Sequence, residues 1–440
     1  MQKFDNSKSA IGGIARFLGL KPGEFFAVVW SFAYFFCIFS AYSMLRPIRD
    51  AMAIMGGTQN IPWLFTGTFV VMLLATPVFG WVASRFPRKQ FLPWVYYFFI
   101  ANILIFFALF TYTQNRELDQ LWIARAFFVW VSVFNLFVVS IFWSFMADIY
   151  SKEQSRRLFG VISAGGSTGG ILGPIITATL VIPVGFKNVL PLSALLLLAG
   201  VYCIYRLRQW VRRHEEDSNS ETVESSKAIG GGALDGIRLL FAKPYFGAIA
   251  SALILASFVG VVGYTYMLKL AEVTFESTDR QTQVFSWIDM AINALSFIGQ
   301  LMLVKHSVKK IGIGATLALL PIATIIGFAL LAIHPVFAVM AGLQIFRRSL
   351  TFGFTKPAAD MLYTVVTTEE KYKVKNFIET ALYRGGDVVS AWAVRMMAGL
   401  ELSGISLVCM PIAAIWTVIA FWLGKDYKRR DKAISAGQKV

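Results

Sequence analysis

FFAVVWSFAYFFCIFSAYSM, residues 25–44, runs directly into Leu45-Arg46-Pro47-Ile48-Arg49-Asp50. Twenty positions pass without a charge. At a rise of about 1.5 Å per residue, that is the length an α-helix needs to cross the hydrocarbon core of a bilayer. Two arginines and an aspartate then arrive together where the run should leave the lipid. The junction sets the class of the chain: an apolar rod that carries a cationic cluster to its mouth, ready to meet something anionic.

The rest of the chain agrees with that class. Of 440 residues, 57% are hydrophobic and 15% charged, and the mean hydropathy is +0.62. Soluble domains are nearer a quarter charged. The net charge of +16 would point to nucleic acid in a soluble protein. Here the lysines and arginines gather in alternate loops, the pattern of a membrane protein with positive loops inside, and no nucleic-acid partner is expected. Cys37, Cys203 and Cys409 fall within apolar runs at no disulfide or zinc spacing. The first apolar run is a full span, so no cleavable signal is expected. The segment Ile11 to Leu18 reads either as an interfacial stretch or as a frayed tail.

Hydropathy places spans near 25–45, 61–84, 91–113, 121–147, 158–182, 188–206, 245–268, 283–304, 313–333, 336–358, 376–398 and 403–424. Arg85, Arg88 and Lys89 follow the second span, Lys152, Arg156 and Arg157 the fourth, and Arg206, Arg208, Arg212 and Arg213 the sixth. Lys305, Lys309 and Lys310 follow the eighth, and Lys371, Lys373 and Lys375 the tenth. Lys425, Lys428, Arg429 and Arg430 open the tail. Both termini are therefore expected in the cytoplasm, with the chain in a bacterial inner membrane.

Between Arg206 and Lys243 the sequence turns acidic and serine-rich and then reaches Gly230-Gly231-Gly232, the composition of a flexible linker. The expected organisation is an N-terminal segment 1–24, a six-helix bundle 25–206, a linker 207–243, a second six-helix bundle 244–424 and a tail 425–440. The two halves echo each other. Asp148, Tyr150 and Ser151 precede a span with Gly165-Gly166, while Asp360 and Tyr363 precede one with Gly385-Gly386. The exit Tyr42 to Arg46 is matched by Tyr266 to Lys269. The fold class expected is an all-α membrane protein: twelve transmembrane helices in two pseudo-symmetric six-helix bundles, a duplicated unit of the parallel-repeat kind.

After the second span stands Gly80-Trp81-Val82-Ala83-Ser84-Arg85-Phe86-Pro87-Arg88-Lys89. It resembles the loop signature of the major facilitator superfamily, with Ser84 for the usual acid and Pro87 for the second glycine. The resemblance implies that Gly80 allows close helix contact and that Arg85 and Arg88 latch the cytoplasmic face. The fifth span carries Gly165, Gly166, Gly169, Gly173 and Pro174, similar to the superfamily's glycine-rich fifth span, where small residues let helices approach and rock. No lysine and hydroxyl follow these glycines, so they are not a phosphate-binding loop.

A narrower resemblance covers most of the chain. Leu45-Arg46-Pro47-Ile48-Arg49-Asp50, Phe142-Trp143-Ser144-Phe145-Met146-Ala147-Asp148, Ala271-Glu272-Val273-Thr274 and Leu382-Tyr383-Arg384-Gly385-Gly386 are similar to the ATP/ADP translocase family of nucleotide transporters. The resemblance implies substrate contacts at Arg49, Glu272 and Arg384, the two arginines standing where the family has lysines. The family's glutamate in the fourth span is absent: Val131 stands there, with Asn135 nearby.

Ionisable groups inside a span cost at least about 2.5–3.5 kcal/mol and are functional candidates by default. The cations are Arg46, Arg49, Arg125, Lys269, Arg347, Arg348 and Arg384; the acids are Glu272, Asp289, Glu379 and Asp387. Arg347 lies roughly 18 Å from the outer end of its span and Arg384 roughly 12 Å from the inner end of its own, both near mid-membrane. Substrate binding is assigned to Arg46, Arg49, Arg125, Lys269, Glu272, Arg347 and Arg384, and proton coupling or gating to Asp289 and Asp387. Each has a structural alternative. Arg49 pairs with Asp50 or Glu272, Arg384 with Asp387, and Asp289 is a buried hydrogen-bonding group one turn before Asn293.

Cations outnumber acids, so a small anionic substrate is expected, held by planar guanidinium forks. The leading expectation is a secondary active transporter that binds an organic anion, nucleotide foremost, between its halves and works by alternating access. A proton-coupled transporter of a siderophore, peptide or muropeptide is the alternative, and a non-transporting receptor or scaffold the alternative of another class. No enzyme is expected: His214, His306 and His334 lie in or beside loops, and no nucleophile–base pair or metal spacing stands out. No cofactor, no metal and a monomer are expected.

Overall fold

The computed structural model describes residues 21, 23–85, 88–217 and 243–436. Among these every regular element is helical. They are α1 (Phe25–Met55), α2 (Ile61–Arg85), α3 (Arg88–Asn115), α4 (Leu121–Ile149), α5 (Lys152–Val184), α6 (Phe186–Asp217) and α7 (Pro244–Thr274). Then follow α8 (Thr278–Ile298), α9 (Val304–Ile333), α10 (Phe337–Leu350), α11 (Lys356–Met361), α12 (Thr368–Phe377), α13 (Tyr383–Met396) and α14 (Leu402–Ser435).

Ten helices among the described residues, α1–α9 and α14, are long and apolar enough to cross a membrane. The sequence predicts twelve unbroken spans, and the shortfall falls on the tenth and eleventh. A π-helical turn, Thr351–Thr355, separates α10 from α11, and another, Ile378–Leu382, separates α12 from α13. At the first break Thr351 Oγ1 donates to the Arg347 carbonyl at 2.9 Å. Hydropathy is blind to such a change of hydrogen-bond register.

The chain divides into two compact units. Unit 1 comprises Met1–Met52, Val71–Glu224 and Thr282–Met290; unit 2 comprises Ala53–Val70, Ser225–Gln281 and Ala291–Val440.

In unit 1, α5 lies on α1 along its glycines. A Cβ on Gly165 would meet the Phe32 carbonyl, and one on Gly166 the Phe35 ring. One on Gly169 would stand 2.6 Å from the Phe36 carbonyl oxygen, and one on Gly173 2.6 Å from that of Ser40. Thr177 continues the contact by donating to the Met44 carbonyl at 3.2 Å. Close backbone approach through small residues is how helices associate when lipid removes the hydrophobic drive. Gly169→Val should therefore destabilise unit 1 by at least about 1–3 kcal/mol, the cost of overpacking, read as a lower melting temperature in detergent. Gly80 is the control. It is exposed, with nothing within 4 Å of a Cβ among the described residues, and Gly80→Ala should leave stability unchanged or slightly raised.

The two loops that echo each other in sequence are built alike. Ser151 and Gln154 form a capping box at the start of α5, and Thr367 and Glu370 form one at the start of α12. In each, the third helical residue also reaches the chain just ahead of its half's first helix. Gln154 Nε2 donates to Glu24 Oε1 at 3.1 Å, joined by Arg157 Nη2 at 2.7 Å. Glu370 pairs with Lys243 at 2.6 Å. Burial works to raise Glu24 and Glu370, but hydrogen bonds from Arg157 and from Lys243 respectively outweigh it and hold both below the ordinary carboxylate value of 4.5. A carboxyl depressed in the folded state contributes stability above its unfolded pKa and loses it as pH falls through the folded one. Melting temperature should thus drop on acidification below about pH 4.5, and Glu24→Gln should flatten part of that drop.

Candidate functional site

The intramembrane charges form one cluster in each unit. In unit 1, α1 brings Arg46, Arg49 and Asp50 to one face because 49 and 50 lie three and four positions beyond 46, just past Pro47. α8 supplies Asp289 from the segment Thr282–Met290. Arg46 Nε stands 3.4 Å from Asp289 Oδ2. Arg49 donates from Nε at 3.0 Å and Nη2 at 2.6 Å to Asp50 Oδ1, and its guanidinium lies 5.3 Å from the Phe128 ring centre. Both acids are buried. The alternative of an ion pair, left open for Arg49 by the sequence, is the one found. Each arginine here has a carboxylate, so this cluster is close to neutral.

Unit 2 is different. α7 presents Ser257, Gly260 and Tyr264 within about 60° of one another on the helix. Ser257 Oγ donates to Asp387 Oδ1 of α13 at 2.6 Å. A Cβ on Gly260 would stand 3.3 Å from Arg347 Nη1, so the missing side chain makes room for the guanidinium. The next glycine, Gly263, faces Gln344. Buried Gln344 accepts from Arg347 Nε at 3.1 Å and Nη2 at 3.0 Å. Arg347 therefore has a neutral amide oxygen as its hydrogen-bond partner, and no carboxylate within ion-pair distance among the described residues. One edge of its fork is fixed by Gln344, which leaves the Nη1 side directed at the Gly260 notch.

Arg384 lies beside Tyr383, its guanidinium 5.5 Å from that ring, and Tyr383 is also within electrostatic reach of Arg347. Asp387 sits one turn beyond Arg384 and feels its charge. The pair does not close to ion-pair distance, because Asp387 is turned to Ser257. Both arginines flank the π turns: Arg347 is four residues ahead of Thr351, and Arg384 two beyond Leu382. π turns recur at functional sites. Among the described side chains, Asp387 is the acid near Arg384.

The remaining sequence candidates lie apart. Lys269 Nζ stands 4.7 Å from the Tyr266 ring and within electrostatic reach of Glu272, whose Oε2 accepts from Thr58 at 2.7 Å. Arg125 stacks on Trp122 at 4.6 Å, in the first turn and a half of α4. Arg85 stacks on Trp81 at 5.1 Å. The side chains of Arg88 and Glu379 lie outside the described residues. Sequence reasoning missed Gly260, Gln344 and Ser257. Helical spacing held a signal for Gln344, a polar residue one turn before Arg347 in an apolar span; none marked Gly260 apart from other glycines.

Comparison with known proteins gives a consistent set. A family model described as Major Facilitator Superfamily matches residues 27–374. The chain is 21% identical to ADP,ATP carrier protein 2 of Chlamydia pneumoniae, over 92% of this chain and 90% of that one. It is 26% identical to ADP,ATP carrier protein 4 of Rickettsia typhi, over 30% of this chain and 31% of that one. Among solved structures, a bacterial homologue of the iron transporter ferroportin in an inward-facing state aligns with a TM-score of 0.64 at 12% identity, over 91% of this chain and 98% of that one. The nucleoside transporter NupG (D323A mutant) aligns at 0.56 and 13% identity, over 93% and 99%. At these identities the structures speak for the fold alone.

Proposed function

Since the chain belongs to the Major Facilitator Superfamily, matched over residues 27–374, and is a membrane transporter rather than an enzyme, we propose that it moves an organic anion by alternating access, with nucleotides as the leading substrate class. The observation that carries this reading is Arg347: a guanidinium half-buried in unit 2, hydrogen-bonded to the neutral Gln344. A charge held in low dielectric without a carboxylate is stable only if something anionic completes it. A phosphate or carboxylate fits, because it takes two parallel hydrogen bonds from one planar fork. Arg384 supplies the second cation, and Ser257 withdraws Asp387 from competition. The names of the Chlamydia and Rickettsia relatives favour adenine nucleotides among the phosphorylated anions. On this reading the cation-rich loops face the cytoplasm of a bacterial inner membrane, two six-span halves provide the moving parts, and no bound cofactor takes part.

The test is exchange of labelled ATP or ADP in proteoliposomes preloaded with unlabelled nucleotide. Uptake that depends on internal nucleotide, and that is lost in Arg384→Gln, is the expected result. Equal uptake into empty liposomes, or uptake unchanged in that variant, would remove the nucleotide assignment.

A second reading rests on Asp289. It is buried in unit 1 and ion-paired to Arg46, the arrangement of a carboxyl that could take up and release a proton. Proton-coupled uptake of another metabolite would then respond to an imposed pH gradient and need no internal counter-substrate.

A further inference from the structure

α14 has 34 residues, about 51 Å at 1.5 Å each, against a hydrocarbon core of about 30 Å. Its last turns therefore stand beyond the core, and its two sides differ. Ala413, Trp416, Ala420, Leu423 and Gly424 are buried and fall within about 100° on the helical wheel. Ala420 and Leu423 share a core with Ile313, Leu317 and Tyr245. The overhang is held to unit 2 from this inner side. Arg430 lies 4.4 Å from the Tyr245 ring, and the Tyr427 and Thr364 hydroxyls stand 3.4 Å apart. Buried Asp426 pairs with both Arg429 and Arg430.

The opposite side is a single stripe. Leu407, Val418 and Trp422 are exposed there and lie with Lys425, Arg429 and Lys432 within about 80° on the wheel. The three cations are exposed as well, Arg429 with 76% of its side chain. The stripe turns from apolar to cationic between Trp422 and Lys425, within one turn. Tryptophan favours the depth of the headgroups, and Lys425 and Arg429 stand roughly 5 and 10 Å beyond it along the axis. Like charges at these three- and four-residue spacings destabilise a helix by themselves, and an anionic surface offsets that repulsion. Asp431 is exposed but lies about 100–160° away from the three cations. α9 widens the basic surface with exposed Lys309 and Lys310, just ahead of Gly312, which faces Lys428. Nucleic acid or an acidic protein would use the cations alone; a phospholipid uses the whole stripe.

We propose that this outer face of α14 binds an anionic phospholipid, its phosphate held by Lys425 and Arg429 with Lys432 above it, and an acyl chain lying along Trp422 and Val418. Basic residues just beyond a span are suited to anionic headgroups. The face takes no part in the Arg347 cluster, so the lipid site stands or falls apart from the substrate.

The purified full-length protein, delipidated in detergent, is titrated with phosphatidylglycerol, with phosphatidylcholine and with inorganic phosphate, reading bound lipid by native mass spectrometry and melting temperature in parallel. Phosphatidylglycerol should be retained and should raise the melting temperature, and phosphatidylcholine should bind at least about tenfold more weakly. Lys425→Gln/Lys432→Gln removes two exposed cations and leaves Asp426 with both of its arginines. At about fivefold for each cation, it should weaken phosphatidylglycerol binding about 25-fold. Lys425→Arg/Lys432→Arg keeps the charge and should bind as the wild type does. So should Arg156→Gln, which removes an exposed cation from α5 of unit 1. Equal retention of the two lipids, wild-type retention in the double glutamine variant, an equal loss in Arg156→Gln or in the double arginine variant, or stabilisation by millimolar phosphate matching that of the lipid would each overturn the proposal.

Discussion

Replacing Arg347 with glutamine should raise the melting temperature of the protein while lowering anion transport at least about a hundredfold. The two effects have opposite signs because the same group is costly when the site is empty and indispensable when it is filled. An intramembrane arginine costs at least about 2.5–3.5 kcal/mol on insertion scales. Here the compensation is a single neutral amide oxygen, that of Gln344. A glutamine removes the charge and keeps a polar end able to bond Gln344. With substrate bound, the balance reverses. Two charge-assisted hydrogen bonds to a phosphate contribute about 1.5–3 kcal/mol each, and about 1.4 kcal/mol is a factor of ten. The measurement is thermal unfolding beside initial exchange rates in proteoliposomes at matched protein density. A variant that is both less stable and fully active would show that Arg347 is a packing residue, and the anion site would have to be sought elsewhere. Gln344→Leu is a milder companion. It should leave the charge in place, free its orientation, and raise the half-saturating substrate concentration more than it lowers the maximal rate.

The membrane class of this chain was plain from residues 25–44, because a span is a property of composition over twenty positions and needs no tertiary information. The glycines of α5 were equally legible as a close-packing surface, although their partner was not: periodicity shows that a face is small, and only coordinates show that it meets Phe32, Phe36 and Ser40 of α1. Charge pairing was the least legible feature. Arg46 and Asp289 are 243 positions apart, and no local pattern links them; counting cations against acids therefore does not show which arginine has a carboxylate. The π turns at Thr351–Thr355 and Ile378–Leu382 escaped for another reason. They alter which carbonyl an N–H selects, a choice that leaves no mark in hydropathy. Of the three π turns among the described residues, at Gly299–Leu303, Thr351–Thr355 and Ile378–Leu382, the last two lie beside the candidate anion contacts Arg347 and Arg384.

Asp289→Ala is expected to destabilise the protein by about 3–5 kcal/mol, the range for removing one member of a buried ion pair. The loss comes from what remains: Arg46, whose side chain is only 13% exposed, would be left beside Arg49, whose own carboxylate Asp50 is already engaged at 2.6 Å. The double variant Arg46→Met/Asp289→Leu removes both charges and should recover most of that stability, since apolar pairs of similar volume replace buried ion pairs at little or no cost. The interaction energy from the cycle of single and double variants isolates the pair from any packing change. The same set of proteins separates the two transport readings. If Asp289 only holds Arg46, the double variant exchanges nucleotide as the wild type does. If Asp289 carries the coupling proton, the double variant folds yet no longer responds to an imposed pH gradient. Stability and pH response are therefore read on one set of variants, and neither measurement can stand in for the other.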